Sequence, residues 1–256
     1  MTRHIITAVV LLVTAACAGG PTEPSTGFQA PIITSIFSGT LPVQGSSVYS
    51  LIVNQASIAS ITLASLAAGP VGAPAPATVG LALGTPGESG ECPHTIDRRV
   101  TPALVAHIRT ERTAETHCVE IYDVGTLRED VNFAIRIVVT PVANTSTTTT
   151  SSPGTDIFSS ILPMQGSATR AVNASQTGTL SAIVTSAAPP NLLVGLGLGI
   201  PRADGGGCHL TTAVNTLTSA AVQVASAVEA GQYCVKIYDP GTLTNNVIFT
   251  LAASHP

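Results

Sequence analysis

Four residues in the first half of the chain have the types and spacing to do chemistry: Cys92, His94, His117 and Cys118. Two thiolates and two imidazoles form an acceptable tetrahedral zinc set. The competing interpretation is a disulfide between the two cysteines. A zinc site needs the two histidines and a disulfide does not. The two halves of the chain can therefore be compared to distinguish these interpretations.

The second half of the chain repeats the cysteines, at Cys208 and Cys234, with the same spacing. Its counterparts of the two histidines are Leu210 and Tyr233. A zinc site would lose half its ligands in this copy, whereas a disulfide would lose nothing. The fifth cysteine, Cys17, lies in an N-terminal export signal, so an even number remains for an exported protein. We therefore predict one disulfide in each repeat and no bound metal.

Two decapeptides, CVEIYDVGTL and CVKIYDPGTL, carry a second repeated pattern. Each places an aspartate two residues before a glycine, as Asp123 with Gly125 and Asp239 with Gly241. A short Asp side chain accepts backbone N–H groups two residues on, and glycine supplies a positive φ. The pattern predicts a structural turn at the end of a strand.

A calcium site is the alternative interpretation of the same region, because hard cations bind clustered oxygen atoms. In the first copy the cluster would be Asp123, Glu129 and Asp130. The second copy keeps only one of the charges, since its counterparts of the latter two residues are Asn245 and Asn246. Turn chemistry explains both copies more simply.

Catalytic and cofactor motifs are not found in the sequence. There is no G-x-S-x-G, H-E-x-x-H, phosphate loop or dinucleotide fingerprint, and the glycines of VGLALG and LVGLGLG follow strand periodicity. We predict no catalytic residue and no cofactor. The formal charge of −4 without a Lys/Arg cluster argues against nucleic acid as a partner. The absence of Trp weakens the case for a sugar-stacking platform.

The elements that position these residues come from an internal duplication. The block IFSGTLPVQGS recurs as IFSSILPMQGS, and VGLALGTP recurs as VGLGLGIP. The copies are predicted at residues 33–140 and 155–256, joined by a Thr/Ser-rich linker at 141–154. Such a linker has little apolar surface to bury.

Hydrophobic residues alternate with period two in both copies. In VNFAIRIVV, the residues Val131, Phe133, Ile135, Ile137 and Val139 share one face. About eight short strands of this kind in roughly 100 residues predict an all-β fold of two tandem antiparallel β-sandwiches. The alternative for Thr218–Tyr233 is a helix, because Ala is frequent there. The matching segment of the first copy begins with proline and lacks a helical period, which favours strands.

The N-terminus predicts export. Ile5–Val13 is an apolar segment that is too short for a membrane span, and it suits a signal peptide over residues 1–16. TAAC, ending at Cys17, resembles the lipobox of bacterial lipoproteins, which implies lipidation at Cys17 and a tether over residues 17–32. The alternative is an ordinary secretory signal cleaved near Ala16 or Ala18. Ala18 does not match the inner-membrane retention signal, so the resemblance implies an outer-membrane or surface location.

Each copy also resembles the bacterial pre-peptidase C-terminal (PPC-like) domains. The resemblance is carried by LPVQGSSVYSLIV or LPMQGSATRAVNA near the start and by the cysteine decapeptide with VNFAIRIVV or VIFTLAA at the end. It implies a jelly-roll-like β-sandwich that serves as an accessory module on secreted and surface proteins. Some relatives bind calcium or polymers through acidic residues near the N-terminal segment, and PIITSIFSGT has none.

Two functions follow as hypotheses. The first is a non-catalytic cell-envelope lipoprotein, held to the membrane by the lipid on Cys17, that displays two β-sandwich modules for structural, adhesive or partner-presenting roles. The second is a secreted binding module for calcium or an extracellular polymer, such as a polysaccharide or protein.

Overall fold

A computed structural model describes residues 31–68, 73–142 and 152–256. The predicted signal peptide, Cys17 and most of the tether lie outside the described residues. The central part of the predicted linker, 143–151, also lies outside them.

The described residues form β-strands and no α-helix, in agreement with the predicted all-β class. Short alternating apolar runs between Gly, Pro and Asp turns account for this content. In the first repeat the strands are β1 (Ile33–Leu41), β2 (Ser46–Ile52), β3 (Ser57–Ala68), β4 (Ala73–Pro74), β5 (Val79–Gly84), β6 (His94–Val100), β7 (Ile108–Arg112), β8 (Thr116–Asp123) and β9 (Val131–Pro141). In the second they are β10 (Gly154–Leu162), β11 (Ser167–Ala174), β12 (Gly178–Ala188), β13 (Val194–Pro201), β14 (Cys208–Thr216), β15 (Val224–Val228), β16 (Gly231–Tyr238) and β17 (Val247–His255).

Each repeat contains two antiparallel sheets. In the first repeat, one sheet has the order β1-β9-β3, with β7 and the short β4 both paired to β3, and the other has the order β2-β8-β5-β6. In the second repeat the orders are β10-β17-β12-β15 and β11-β16-β13-β14. The second repeat therefore reproduces the pairing of the first, without a counterpart of β4.

A hydrophobic core within each repeat draws residues from both of its sheets, as in a sandwich. In the first repeat, Ile61 and Ile135 come from one sheet, and Leu81 and Ile121 from the other. The second repeat has the same arrangement on a similar scale. The five residues of VNFAIRIVV that are predicted to face the core are all buried, and Val139 is the most exposed of them, at 6%.

The predicted strands, rather than the helix considered as the alternative, occupy the Ala-rich segment near Cys234. Strand β15 (Val224–Val228) pairs with β12, and β16 begins at Gly231. Val224 and Val228 are buried, and Gly231 has a φ of 150° that an α-helix does not allow. Among the described residues, no helix is long and apolar enough to cross a membrane.

The two repeats pack against each other over the outer face of the β1-β9-β3 sheet. On that face Ser60, Thr62, Ser65 and Arg136 are buried polar residues, although they point away from the core of their own repeat. Ala64, Leu104 and Ala134 of the first repeat belong to the same apolar cluster as the core of the second. One repeat therefore covers a sheet face of the other.

Candidate functional site

The predicted cysteine pairs form two disulfides, one in each repeat. The Cα atoms are 5.8 Å apart in Cys92–Cys118 and 6.0 Å apart in Cys208–Cys234. Cys118 lies on β8 opposite Gly84 of β5, so the first disulfide joins β8 to the segment preceding β6 across the end of β5. The thiols that a zinc site would need are consumed in these bonds.

Asp123 and Asp239 each bind four backbone N–H groups. One carboxylate oxygen of Asp123 accepts from Gly125, Thr126 and Leu127, and the other accepts from Gln44 at 2.9 Å. Asp239 accepts from the four equivalent groups, with the Gln165 nitrogen at 2.8 Å. Each aspartate therefore joins its own turn to the turn between the first two strands of its repeat.

The pKa of each of these carboxyls lies below its ordinary value. Burial raises the pKa of Asp123 and Asp239, but the four backbone N–H donors together lower it by more, because they stabilise the ionised form. Gly125 and Gly241 adopt φ values of 86° and 95°. The geometry is that of a hydrogen-bonded turn.

A second acceptor holds the same turn and explains why the second repeat carries asparagine. Asp130 accepts from the Val43 backbone nitrogen, and Asn246 accepts from that of Met164, both at 3.1 Å. An amide oxygen can also accept this bond, so the bond does not require a charged acceptor. Among the described residues, no group of three or more His, Cys, Asp or Glu side chains could hold a metal ion.

The repeated glycines of β5 and β13 give room to a tyrosine on the neighbouring strand. A Cβ on Gly80 would stand 2.1 Å from Tyr122 Cζ, and one on Gly195 would stand 2.2 Å from Tyr238 Cζ. Each ring therefore lies across a glycine on the outer face of the sheet. These glycines serve packing within the sheet.

His94 belongs to an exposed polar cluster around Tyr122. Its Nε2 lies 2.8 Å from Glu120 Oε2, its Nδ1 lies 3.6 Å from Asp97 Oδ2, and its ring stacks on Tyr122. Tyr122 donates to Asp97, and burial followed by this hydrogen bond raises the tyrosine pKa to about 12. In the second repeat the counterpart of Glu120 is Lys236, whose Nζ lies 5.9 Å from the Tyr238 ring centroid.

His117 is placed away from His94, in the interior. Only 1% of its side chain is exposed, and its Nε2 lies 3.6 Å from Glu115 Oε1. Neither ring nitrogen has a hydrogen-bond partner in the part of the chain that the structure describes. The structure thus does not bring the two histidines together with the cysteines as a ligand set.

Arg136 and Tyr233 form the polar centre of the contact between repeats. Arg136 Nη2 donates to Tyr233 Oη at 3.0 Å and to the Leu104 carbonyl at 3.2 Å, and its Cζ lies 4.8 Å from the Tyr233 ring centroid. The Tyr233 hydroxyl also accepts from the Glu229 backbone nitrogen and donates to the Glu229 carbonyl. Arg136 is 3% exposed and Tyr233 is fully buried.

Further hydrogen bonds join β14 of the second repeat to β3 of the first. Ser65 Oγ donates to the Leu210 carbonyl at 2.7 Å, and Thr211 Oγ1 donates to the Ala64 carbonyl. These bonds satisfy hydroxyls that are buried by the contact. The two repeats are consequently held by specific polar contacts as well as by apolar packing.

An open cleft of about 950 Å³ lies beside this contact and is lined by both repeats. The first repeat contributes Arg109 and Arg136, and the second contributes Arg202, Glu229 and Gly231. The remaining lining is mixed apolar and uncharged polar, with Ser60, Thr140, Asn173 and Gln232 among the polar residues.

Sequence reasoning did not find this cleft or its arginines. Arg136 was visible in VNFAIRIVV as an outward residue, and its counterpart in the second copy is Ala252. Tyr233 was visible as the counterpart of His117. These differences between the copies are the sequence features that could have indicated a contact between one repeat and a sheet face of the other.

Comparison with known proteins identifies no family for the chain. No protein-family model matches it, and no curated protein matches it. A solved structure of tripeptidyl peptidase 2 aligns with 8% identity over 86% of this chain and 23% of that one, with a TM-score of 0.31. The chain thus spans about a quarter of the length of that structure. The Macrobrachium rosenbergii nodavirus structure aligns with 8% identity over 97% and 96% of the two chains, with a TM-score of 0.19.

Proposed function

We propose that this protein is an exported, non-catalytic lipoprotein of the cell envelope that displays two β-sandwich modules in structural, adhesive or partner-presenting roles. The observation that carries the proposal is the duplication of scaffold. Each repeat has one disulfide and one Asp turn at the same place in its fold. The features that both copies keep are therefore ones that stabilise the fold of a module.

The disulfides support an oxidising, extracellular setting, because thiols are kept reduced in most cytosolic compartments. The proposed anchor is a lipid on Cys17, with the protein on the outer membrane or cell surface. The segments proposed for export and tethering precede Pro31, where the described chain begins. Plain secretion is the alternative.

The strand pairing supports a jelly-roll-like form of each sandwich. The first and last strands of each repeat pair in one sheet, and the second and the next-to-last pair in the other. This nesting of outer and inner strand pairs is expected of a jelly roll. A jelly-roll-like form is also what the proposed resemblance to PPC-like modules implies. The proposed linker joins the end of β9 at Pro141 to the start of β10 at Gly154.

Fractionation of cells that make the natural protein or its Cys17→Ala variant tests the proposal. The natural protein is expected in the membrane fraction and in detergent extracts. The variant is expected to lose the membrane association while keeping its disulfides. Equal partition of both proteins into the soluble extracellular fraction would contradict the lipid anchor.

A second candidate function, binding of an extracellular polymer, is favoured by one observation: the cleft between the repeats. The calcium form of this candidate receives no comparable support, because Asp123 and Asp239 direct their oxygens at backbone N–H groups. Saturable binding in a glycan panel, without a response to calcium in calorimetry, would favour the polymer form.

A further inference from the structure

The cleft between the repeats concentrates positive charge in a protein that is negative as a whole. Arg109, Arg136 and Arg202 line it, and within the described part of the chain Glu229 is the one acidic lining residue. The whole chain has a formal net charge of −4. The cleft therefore has the opposite sign to the average surface, which favours an anionic ligand.

Arg136 is the unusual member of this group, because it is a buried charge without a counterion. It is 3% exposed, and among the described residues it forms no ion pair. The partners of its Nη2 are a carbonyl and a phenol oxygen, both uncharged, and no group in residues 31–68, 73–142 or 152–256 forms a hydrogen bond with its Nε. A buried cation in that state is costly unless an anion or a strong acceptor approaches it.

Gly231 places no side chain beside this guanidinium, and both residues line the cleft. A Cβ at Gly231 would stand 3.2 Å from Arg136 Nη1, and Gly231 itself lines the cleft. The face of the Tyr233 ring packs against the guanidinium, with Arg136 Cζ 4.8 Å from the ring centroid. The guanidinium is thus fixed in position while part of its donor set stays unused.

A fixed guanidinium with unused N–H groups matches the geometry of a carboxylate or phosphate oxyanion. Arg109 and Arg202 are exposed, one in each repeat, and can contribute charge from the two sides of the cleft. A volume of about 950 Å³ is sufficient for a ligand larger than a bare ion. Hydroxyl and amide groups in the lining suit a polar, hydroxyl-bearing ligand.

We propose that the cleft between the repeats binds the carboxylate or phosphate group of an extracellular anionic ligand, with Arg136 as the buried oxyanion donor and with Arg109 and Arg202 as supporting charges. This proposal rests on the second candidate function and is independent of the lipid anchor. Both repeats are needed for the site, because each supplies part of it.

Isothermal titration of the full chain at low ionic strength tests the proposal, with inorganic phosphate and glucuronate as the two probes. We expect saturable binding of at least one probe, with one site per chain. Tighter binding of glucuronate would indicate an acidic saccharide, and tighter binding of phosphate would indicate a phosphorylated ligand. Added sodium chloride should weaken binding, because the arginines at the opening are exposed to screening ions.

Arginine variants locate the site. Arg202→Gln and Arg109→Gln are each expected to raise Kd about threefold to tenfold, and Arg136→Gln more than tenfold. Arg170→Gln is the matched control, because Arg170 is exposed on β11 and does not line the cleft. Its Kd should be unchanged.

Arg136→Gln could loosen the contact between repeats, so its thermal unfolding is compared with that of the natural protein. Arg202→Gln serves as the test that does not disturb this contact. The absence of saturable binding of both probes to the natural protein would overturn the proposal. Equal weakening by Arg170→Gln and Arg202→Gln would overturn it as well. Neither result would bear on the membrane anchor, which fractionation tests separately.

Discussion

At the scale of single residues, Asp123 and Asp130 both bind the turn between β1 and β2, but they accept different numbers of hydrogen bonds. Asp123 accepts from four backbone N–H groups, whereas Asp130 accepts from one. Asp123→Ala should therefore lower the free energy of unfolding by about 1 kcal/mol, as loss of a capping side chain does. Urea denaturation measures the change.

Asp130→Asn is the matched control, because the second repeat already uses Asn246 in this role. It should leave the free energy of unfolding within about 0.5 kcal/mol of the natural value. If Asp130→Asn were as damaging as Asp123→Ala, the charge itself would matter, and a cation site would have to be reconsidered.

The lowered pKa values of Asp123 and Asp239 predict a pH dependence of stability. A carboxyl with a pKa below 3.8 in the folded protein adds stability that is present above 3.8. That stability is lost as the pH falls through the lower, folded-state pKa. The urea midpoint should fall as the pH is lowered through and below 3.8, and it should fall less steeply in Asp123→Asn. An identical slope in the variant would contradict the prediction.

At the scale of the elements, the period-two pattern predicted the strands and their inward residues because neighbouring side chains in a strand point to opposite faces. It could not show that Tyr122 lies across Gly80, since that contact joins β8 to β5 and depends on the register between them. The sequence predicts that Gly80 belongs to a strand. Its steric role is known only from the folded structure.

The contact between Tyr122 and Gly80 makes a prediction at the scale of the elements. Gly80→Ala should destabilise the first repeat by about 1–3 kcal/mol, because the added methyl group would displace the ring. Combining it with Tyr122→Ser should cost less than the sum of the two single changes, since the smaller side chain removes the clash. Additive costs in this double-mutant cycle would show that the ring and the glycine do not interact.

At the scale of the whole molecule, the sequence indicated two copies but not how they meet. Arg136 alternates correctly as an outward residue, and a single-copy pattern would place it in water. It is buried because the second repeat covers that sheet face and supplies Tyr233. The pairing joins residues 97 positions apart in different copies, so no local pattern encodes it.

Tyr233→Phe tests this contact. The change removes a hydroxyl that bonds Arg136 Nη2 and the backbone of Glu229, and leaves those groups buried. We expect a loss of about 1–3 kcal/mol in the free energy of unfolding. Tyr238→Phe is the matched control, because the Tyr238 hydroxyl forms no hydrogen bond with any described residue. Equal stability of the two variants would contradict the proposed role of the Tyr233 hydroxyl.

We propose an exported, lipid-anchored pair of disulfide-bonded modules, and intact-mass analysis of the native protein tests this proposal most directly. We expect a chain that begins at Cys17 and carries lipid. Reduction should then add the mass of two hydrogens for each of the two disulfides. An unmodified chain that begins at another residue, or a mass that does not change on reduction, would contradict this proposal.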